Sequence, residues 1–146
     1  MKKDEGVELK LPNSLAALTE LHAVAGEFCR QWAIHPDIAF KVDLVLDELF
    51  TNIVRYGYDD NGFHEIVVRF KGGHDRIRIS IEDDARHFNP LLAPEVDIDA
   101  PASERRIGGL GIHLVRNLMD QVRYQRRPVG NRLIVIKRLG KEEKQI

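Results

Sequence analysis

Along the chain, apolar residues change period several times, and each change marks an element. Val7, Leu9 and Leu11 alternate with polar neighbours in VELKL, the period of a strand with one buried face. Pro12-Asn13-Ser14 follows, and Asn13 or Ser14 is suited to cap a helix. Leu15, Leu18, Leu21, Ala25, Phe28 and Trp32 then recur at helical spacing. That helix should end near Ile34, because His35 precedes Pro36 and is pushed toward extended backbone. Asp37 can cap a second helix through IAFKVDLVLDELFTNIVRYG, with Val42, Val45, Leu46, Leu49 and Ile53 as its apolar stripe and Gly57 as its stop. Ile66, Val68 and Phe70, then Ile77, Ile79 and Ile81, alternate in two strands joined by GGHD, a hairpin signal. Arg76, Arg78, Ser80 and Glu82 interleave the second set, so one sheet face is expected to be buried and the other polar.

From about Asn89 to Ile107 the periodicity stops. NPLLAPEVDIDAPASERR is rich in Pro, Ala and Asp and long for a structureless connection. Loops of that length are lids, binding loops or disordered segments. GGLGIHLVRNLMDQV reads as a helix entered through glycines, with Ile112, Val115, Leu118 and Met119 on its apolar face. VRYQRR, PVGN and RLIVIKRL read as a closing hairpin, and the charged tail GKEEKQI as a frayed end. The order is strand, helix, helix, two strands, lid, helix, two strands. It predicts an α+β fold in one domain over residues 1–146, a mostly antiparallel sheet with helices packed on one face.

Composition narrows the classes without choosing among them. The 146 residues are enough to bury one core, and 43% hydrophobic with 31% charged residues is ordinary for a globular domain. Net charge is −1, so no global field argues for nucleic acid or an anionic membrane as partner. Cys29 is the single cysteine, which excludes an internal disulfide and suits a small buried hydrophobe. MKKDEGVELKL lacks an apolar signal-peptide core, and no apolar run reaches membrane-spanning length. A cytoplasmic, bacterial-type protein is the expectation.

Three local features carry candidate chemistry. Glu48 and Asn52 are four apart and share a helix face away from the apolar stripe. Taken alone they are an ordinary polar face; functionally, a carboxylate can orient or deprotonate a nucleophile and an amide oxygen can hold a hard cation. Asp83 ends a buried strand, where a carboxylate is costly without a partner. It is either a loop-starting aspartate or an acceptor for an exocyclic amine such as adenine N6, and Asp84, on the opposite face, is the weaker candidate. In GGLG, backbone N–H groups at a glycine-opened helix start can bind phosphate oxygens, with Gly109 and Gly111 allowing close approach; a lid hinge is the plainer alternative. Arg105 and Arg106 are either terminal-phosphate contacts or solvated lid charges.

The order of these features resembles the GHKL superfamily of ATPases and kinases. DELFTNIVRYGY is similar to the N-box of the small anti-sigma-factor serine kinases of the RsbW and SpoIIAB type, through Glu48, Asn52, Tyr56, Gly57 and Tyr58. GGLGIHLV resembles the second glycine box, and the likeness extends over about residues 7 to 138. The resemblance implies a Bergerat-type two-layer α/β sandwich that binds ATP and Mg2+. It implies Glu48 as catalytic carboxylate, Asn52 as magnesium ligand, Asp83 as adenine contact, and Gly108, Gly109, Leu110 and Gly111 as phosphate cradle. Tyr56, Ala85, Phe88 and Arg106 complete the expected nucleotide site. The departure is the first glycine box: Asp83 and Phe88 match, but Ala85 and His87 stand at key positions. A β-carbon at residue 85 costs little if φ is negative and roughly 1 kcal/mol or more if φ is positive. A retained site of weaker affinity is expected.

The activity implied is transfer of the ATP γ-phosphoryl group to a serine of an anti-anti-sigma (STAS) partner. The same protein is expected to bind a sigma factor and to form a homodimer, without contacting nucleic acid or membrane. The alternative is a nucleotide-regulated module that sequesters a sigma factor or other regulator without efficient catalysis. A detached histidine-kinase ATP domain fits less well, because His22 lies in a short helix on a mixed face and His35 precedes a proline. A gyrase- or mismatch-repair-type ATPase should carry a transducer domain that these residues do not supply.

Overall fold

The structure, a computed structural model, describes residues 6–92 and 109–140. Arg105, Arg106, Gly108 and most of the expected lid lie outside the described residues. Strand β1 (Gly6–Pro12) leads into helices α1 (Leu18–Gln31) and α2 (Pro36–Tyr56). Strands β2 (Glu65–Gly72) and β3 (Arg76–Asp83), helix α3 (Gly109–Leu118), and strands β4 (Gln121–Arg126) and β5 (Asn131–Arg138) follow. The five strands form one sheet in the order β1-β2-β3-β5-β4, and every neighbouring pair is antiparallel. The α+β expectation therefore stands, with a sheet that is antiparallel throughout rather than mostly.

Alternation assigns the faces. Leu9↔Val68, Leu11↔Ile66, Phe70↔Ile79, Ile79↔Val135 and Ile81↔Leu133 are cross-strand pairs on the face covered by helices. Against them pack Leu21, Ala25 and Phe28 of α1 and Val42, Val45, Leu46 and Phe50 of α2, each at most 1% exposed. The Phe28 and Phe70 rings lie 5.4 Å apart, joining the two layers. Burial of such side chains, about 1.5–3 kcal/mol each, is what makes α1 and α2 stable where they are.

Three local expectations are corrected. Helix α1 stops at Gln31 rather than near Ile34, because Ala33 turns left-handed (φ 52) and the Ile34 N–H donates back to the Cys29 carbonyl at 2.9 Å. That reversal drops Ile34 into the core at 4% exposure. Helix α1 is also preceded by a 3-10 turn, Leu15–Ala17, which Ser14 caps by accepting from the Ala16 N–H at 3.3 Å. The cap of α2 is His35, not Asp37: Pro36 occupies the first turn, His35 is extended, and its Nδ1 accepts from the Asp37 N–H at 3.1 Å. Asp37 instead lies within that turn, where its charge suits the helix dipole.

The open face of the sheet is not simply polar. Ser80, Ile134 and Ile136 on it are 2–3% exposed, and Glu82 is 8% exposed. Arginine stems lie over this face. Arg69 meets the Glu82 carboxylate at 2.8 Å and Arg132 at 2.5 Å. Burial would raise the Glu82 pKa, but the two guanidiniums hold it below the ordinary glutamate value. Among the described residues no helix is long and apolar enough to cross a membrane.

Candidate functional site

Alternation along β3 puts Ile77, Ile79, Ile81 and then Asp83 on the helix side of the sheet. The C-terminal half of α2 runs above that strand end, and α3 closes one side. Between them lies a cavity of about 380 Å³. Its walls are carbon: Leu49 and Ile53 from α2, Ile81 from β3, Ile112 from α3 and Leu133 from β5. Asn52, Tyr56, Asp83, Ala85 and Phe88, five of the expected site residues, also line it. A mostly apolar lining with a few polar groups suits a heteroaromatic group that offers hydrogen bonds at one edge.

Asp83 is 5% exposed, and its carboxylate is held in place by the chain itself. Oδ1 accepts from the Ala85 N–H at 3.0 Å and from Asn131 Nδ2 at 2.9 Å. Burial raises the Asp83 pKa above the ordinary aspartate value, and these donors only partly offset it. Asn131 is the hub of this end. Its Nδ2 also donates to the Arg86 carbonyl at 2.9 Å, while its Oδ1 accepts from the Phe88 N–H at 2.9 Å and from the Tyr124 hydroxyl. Arg127 donates to the Asp83 carbonyl at 2.9 Å. Gly130 makes this closeness possible: φ is +85, and a Cβ there would fall 1.8 Å from the Asp83 carbonyl oxygen.

Ala85 carries no left-handed strain, since Ala33 is the only non-glycine with positive φ among the described residues. Its methyl is 6% exposed and fills space left by Gly57, where an added Cβ would approach it to 2.9 Å. The β-carbon at position 85 is thus matched by the absence of one at 57. The Arg86 N–H donates to the Gly57 carbonyl at 3.2 Å, tying the exit of β3 to the end of α2. His87 is exposed, with Nε2 2.9 Å from the Arg127 carbonyl, so it fastens this stretch to the β4–β5 hairpin.

At the other end, Asn52 Nδ2 donates to Glu48 Oε1 at 3.3 Å, as their spacing on α2 predicts. Glu48 abuts the first turn of α3: a Cβ on Gly111 would fall 1.8 Å from Glu48 Oε1. Only glycine lets α3 approach so closely. The Glu48 carboxylate therefore sits directly against the first turn of α3. Gly109 and Leu110 form that first turn, while Arg106 and Gly108 lie outside the described residues. The expected magnesium fits this end in a limited way. Glu48 and Asn52 offer hard oxygen donors, yet no group of three or more His, Cys, Asp or Glu among the described residues could hold a metal by itself. A cation here needs ligand oxygens as well, as Mg2+ on a nucleotide has.

The sequence did not point to Asn131, Tyr124, Arg127 or Arg86. In the sequence Asn131 is only part of a hairpin turn, and nothing local ties it to a carboxylate 48 positions earlier. Gly57 is legible in the sequence as a helix stop and as part of the N-box likeness, but its role in admitting Ala85 depends on a contact across the cavity.

Comparison with known proteins bears on the family and the fold. The family model described as a histidine kinase-like ATPase domain matches residues 11–137. A serine-protein kinase RsbW of Staphylococcus aureus is 28% identical over 148 residues, covering 97% of this chain and 91% of its own. RsbW of Staphylococcus aureus strain JH9 is 29% identical over 127 residues, covering 82% and 79%. Among solved structures, the catalytic domain of the histidine kinase ThkA matches with a TM-score of 0.54 and 16% identity, over 96% of this chain and 99% of that domain, which is a likeness of fold. The matched residues run from the end of β1 through most of β5 and include all three helices and the strand ends around the cavity, and the chain belongs to the histidine kinase-like ATPase domain family.

Proposed function

We propose that this chain is an ATP-dependent protein-serine kinase that also acts as an anti-sigma factor. The observation that carries this is one cavity lined by the buried carboxylate Asp83 and by Asn52, whose partner Glu48 lies against the start of α3. Adenine would enter between the carbon walls and donate its exocyclic N–H to Asp83. The triphosphate would then run toward Gly109–Gly111. Phe88, 62% exposed at the mouth, offers a face to cover the base.

In the transfer step, Glu48 accepts the proton of a partner serine hydroxyl. The serine oxygen bonds to the γ-phosphorus as the bond to the β–γ bridging oxygen breaks, and ADP leaves with that oxygen. Asn52 orients Glu48 through its amide N–H and is the side chain available to a magnesium ion, whose chemistry is to offset phosphate charge. Most of the barrier in such a reaction is lowered by positioning and charge stabilisation. The similarity to the RsbW serine-protein kinases supports serine as acceptor. A sigma factor and a STAS-type anti-anti-sigma protein are the proposed partners, and a homodimer the proposed assembly.

Incubating the protein with labelled ATP, magnesium and STAS-type partners tests the reading. Acid-stable label should appear on a partner serine. Glu48→Gln should bind ATP and the sigma factor as wild type does but transfer roughly 10²–10⁴-fold more slowly. Tight binding of ATP and a sigma factor by wild type, with no transfer to any cognate antagonist, would replace the kinase with a nucleotide-regulated binding module.

A further inference from the structure

Behind the Asp83 end of the cavity lies a side-chain cluster that the proposed reaction does not use. His64 begins where the loop after α2 joins β2. Its backbone is pinned to the end of β1 by Asn13, which accepts from the His64 N–H at 3.0 Å and donates its own N–H to the His64 carbonyl at 3.0 Å. The ring stacks on Tyr58, centroids 4.2 Å apart and planes at 17°. Nδ1 lies 3.0 Å from Asp84 Oδ2, and Nε2 lies 2.8 Å from Asp60 Oδ1. Asp60 Oδ1 also accepts from the Gly62 N–H at 3.1 Å, and Asp84 Oδ1 accepts from the Tyr58 hydroxyl at 3.1 Å, so both carboxylates are fixed in place.

An imidazole between two carboxylates has a definite requirement. The neutral ring carries one N–H, so one of its nitrogens would turn a lone pair toward a carboxylate oxygen. Only the imidazolium donates to both. Protonation therefore ties the 58–64 loop to Asp84, the neighbour of Asp83. That tie closes a frame whose other members are already visible: Arg86 donates to the Tyr56 and Gly57 carbonyls, and Tyr56, Gly57, Asp83 and Ala85 line the cavity. The imidazolium also neutralises Asp84, a like charge next to the buried Asp83.

We infer that His64, as its imidazolium, is a positioning residue for nucleotide binding, acting through Asp84 on the Asp83–Ala85 wall. This rests on the cavity being the nucleotide site. The groups facing the ring are Asp60 on its own loop, Asp84 from the end of β3 and the Tyr58 hydroxyl and ring; β1 contributes the uncharged Asn13. The hydrogen bonds to Asp84 and Asp60 raise the His64 pKa above 6.5. The tie is therefore complete below that value and is lost as pH rises through the raised pKa.

The test is calorimetric titration of magnesium-ADP into wild type, His64→Gln and Asp84→Asn between about pH 6 and pH 9. Comparing proteins at each pH cancels titration of the nucleotide's own phosphates. Wild type should bind about fivefold more tightly than His64→Gln at the acid end, and the ratio should fall toward one at the basic end. Asp84→Asn supplies an amide N–H to His64 Nδ1 while the neutral ring donates to Asp60, so its affinity should lose the pH step rather than the binding. A His64→Gln ratio that is constant with pH, or an Asp84→Asn variant with the wild-type step, overturns the assignment while leaving the nucleotide site standing. No binding of ADP or ATP by wild type at any pH overturns both.

Discussion

The buried Asp83 carboxylate carries a stability cost that its proposed role as adenine acceptor would account for. Its burial disfavours the charged form, so the folded pKa is raised and the ionised side chain destabilises the ligand-free fold at neutral pH. Asp83→Asn should therefore melt at a higher temperature than wild type at pH 7 without nucleotide. The gain should shrink as pH falls through the raised folded pKa and vanish below the unfolded value of about 3.8. The same variant should lose roughly 1.5–3 kcal/mol of ATP affinity by calorimetry, the worth of a hydrogen bond to a charged acceptor. Equal affinities would remove Asp83 from the site. Ala85 and Gly57 form a second residue-scale pair. Gly57→Ala places a methyl 2.7 Å from the Ile53 carbonyl oxygen and 2.9 Å from the Ala85 methyl, so it should destabilise the fold. Adding Ala85→Gly should recover part of the loss in urea unfolding, because it removes one clash and leaves the other.

Helices α1 and α2 meet through a titratable contact as well as through the core. His22 of α1 reaches two aspartates one turn apart on α2: Nδ1 lies 3.2 Å from Asp43 and Nε2 lies 3.1 Å from Asp47. Burial pulls its pKa down, but the two carboxylates outweigh that, and the net shift is upward from 6.5. The clasp thus stabilises α1 against α2 below pH 6.5 and is lost as pH rises through the raised value. His22→Ala should cost about 0.5 kcal/mol at pH 6, discounted because the ring is a third exposed, and less at pH 8.5. Urea midpoints at the two pH values measure this, and equal losses would reduce His22 to packing. On the open sheet face the sign reverses. The Glu82 pKa is depressed, so its ion pairs contribute above about pH 4.5 and fade as pH falls through the folded value. Glu82→Gln should cost about 2 kcal/mol at pH 7, since it leaves Arg69 and Arg132 facing an uncharged amide. The loss should shrink on acidification.

At the scale of the whole molecule, the cavity is bounded by α2, α3 and the ends of three strands, so no part of the chain builds it alone. A nucleotide bound there engages the folded state only. ATP at about 100 times its dissociation constant should add about 2.7 kcal/mol of stability. For a chain of this size that is a rise of several degrees in melting temperature. An unchanged melting temperature at saturating ATP would count against the cavity as the site.

The sequence by itself determined the main helices and strands, the sheet face that the helices cover, and the Glu48–Asn52 pair. These follow from periods of two, three and four residues, and local backbone geometry enforces them on any chain with that pattern. It also marked Asp83, because a carboxylate ending an isoleucine alternation is conspicuous without any partner in view. Strand order did not follow from period: β5 inserts between β3 and β4, which brings Asn131 to Asp83 and Gly130 to its carbonyl. The tolerance of Ala85 was likewise undecidable from the chain, since it depends on φ and on a glycine across the cavity. The caps at His35 and the reversal at Ala33 turned on backbone angles that several residues could have supplied. Contacts between residues far apart in sequence are set by packing of whole layers, and only the tertiary structure carries that information.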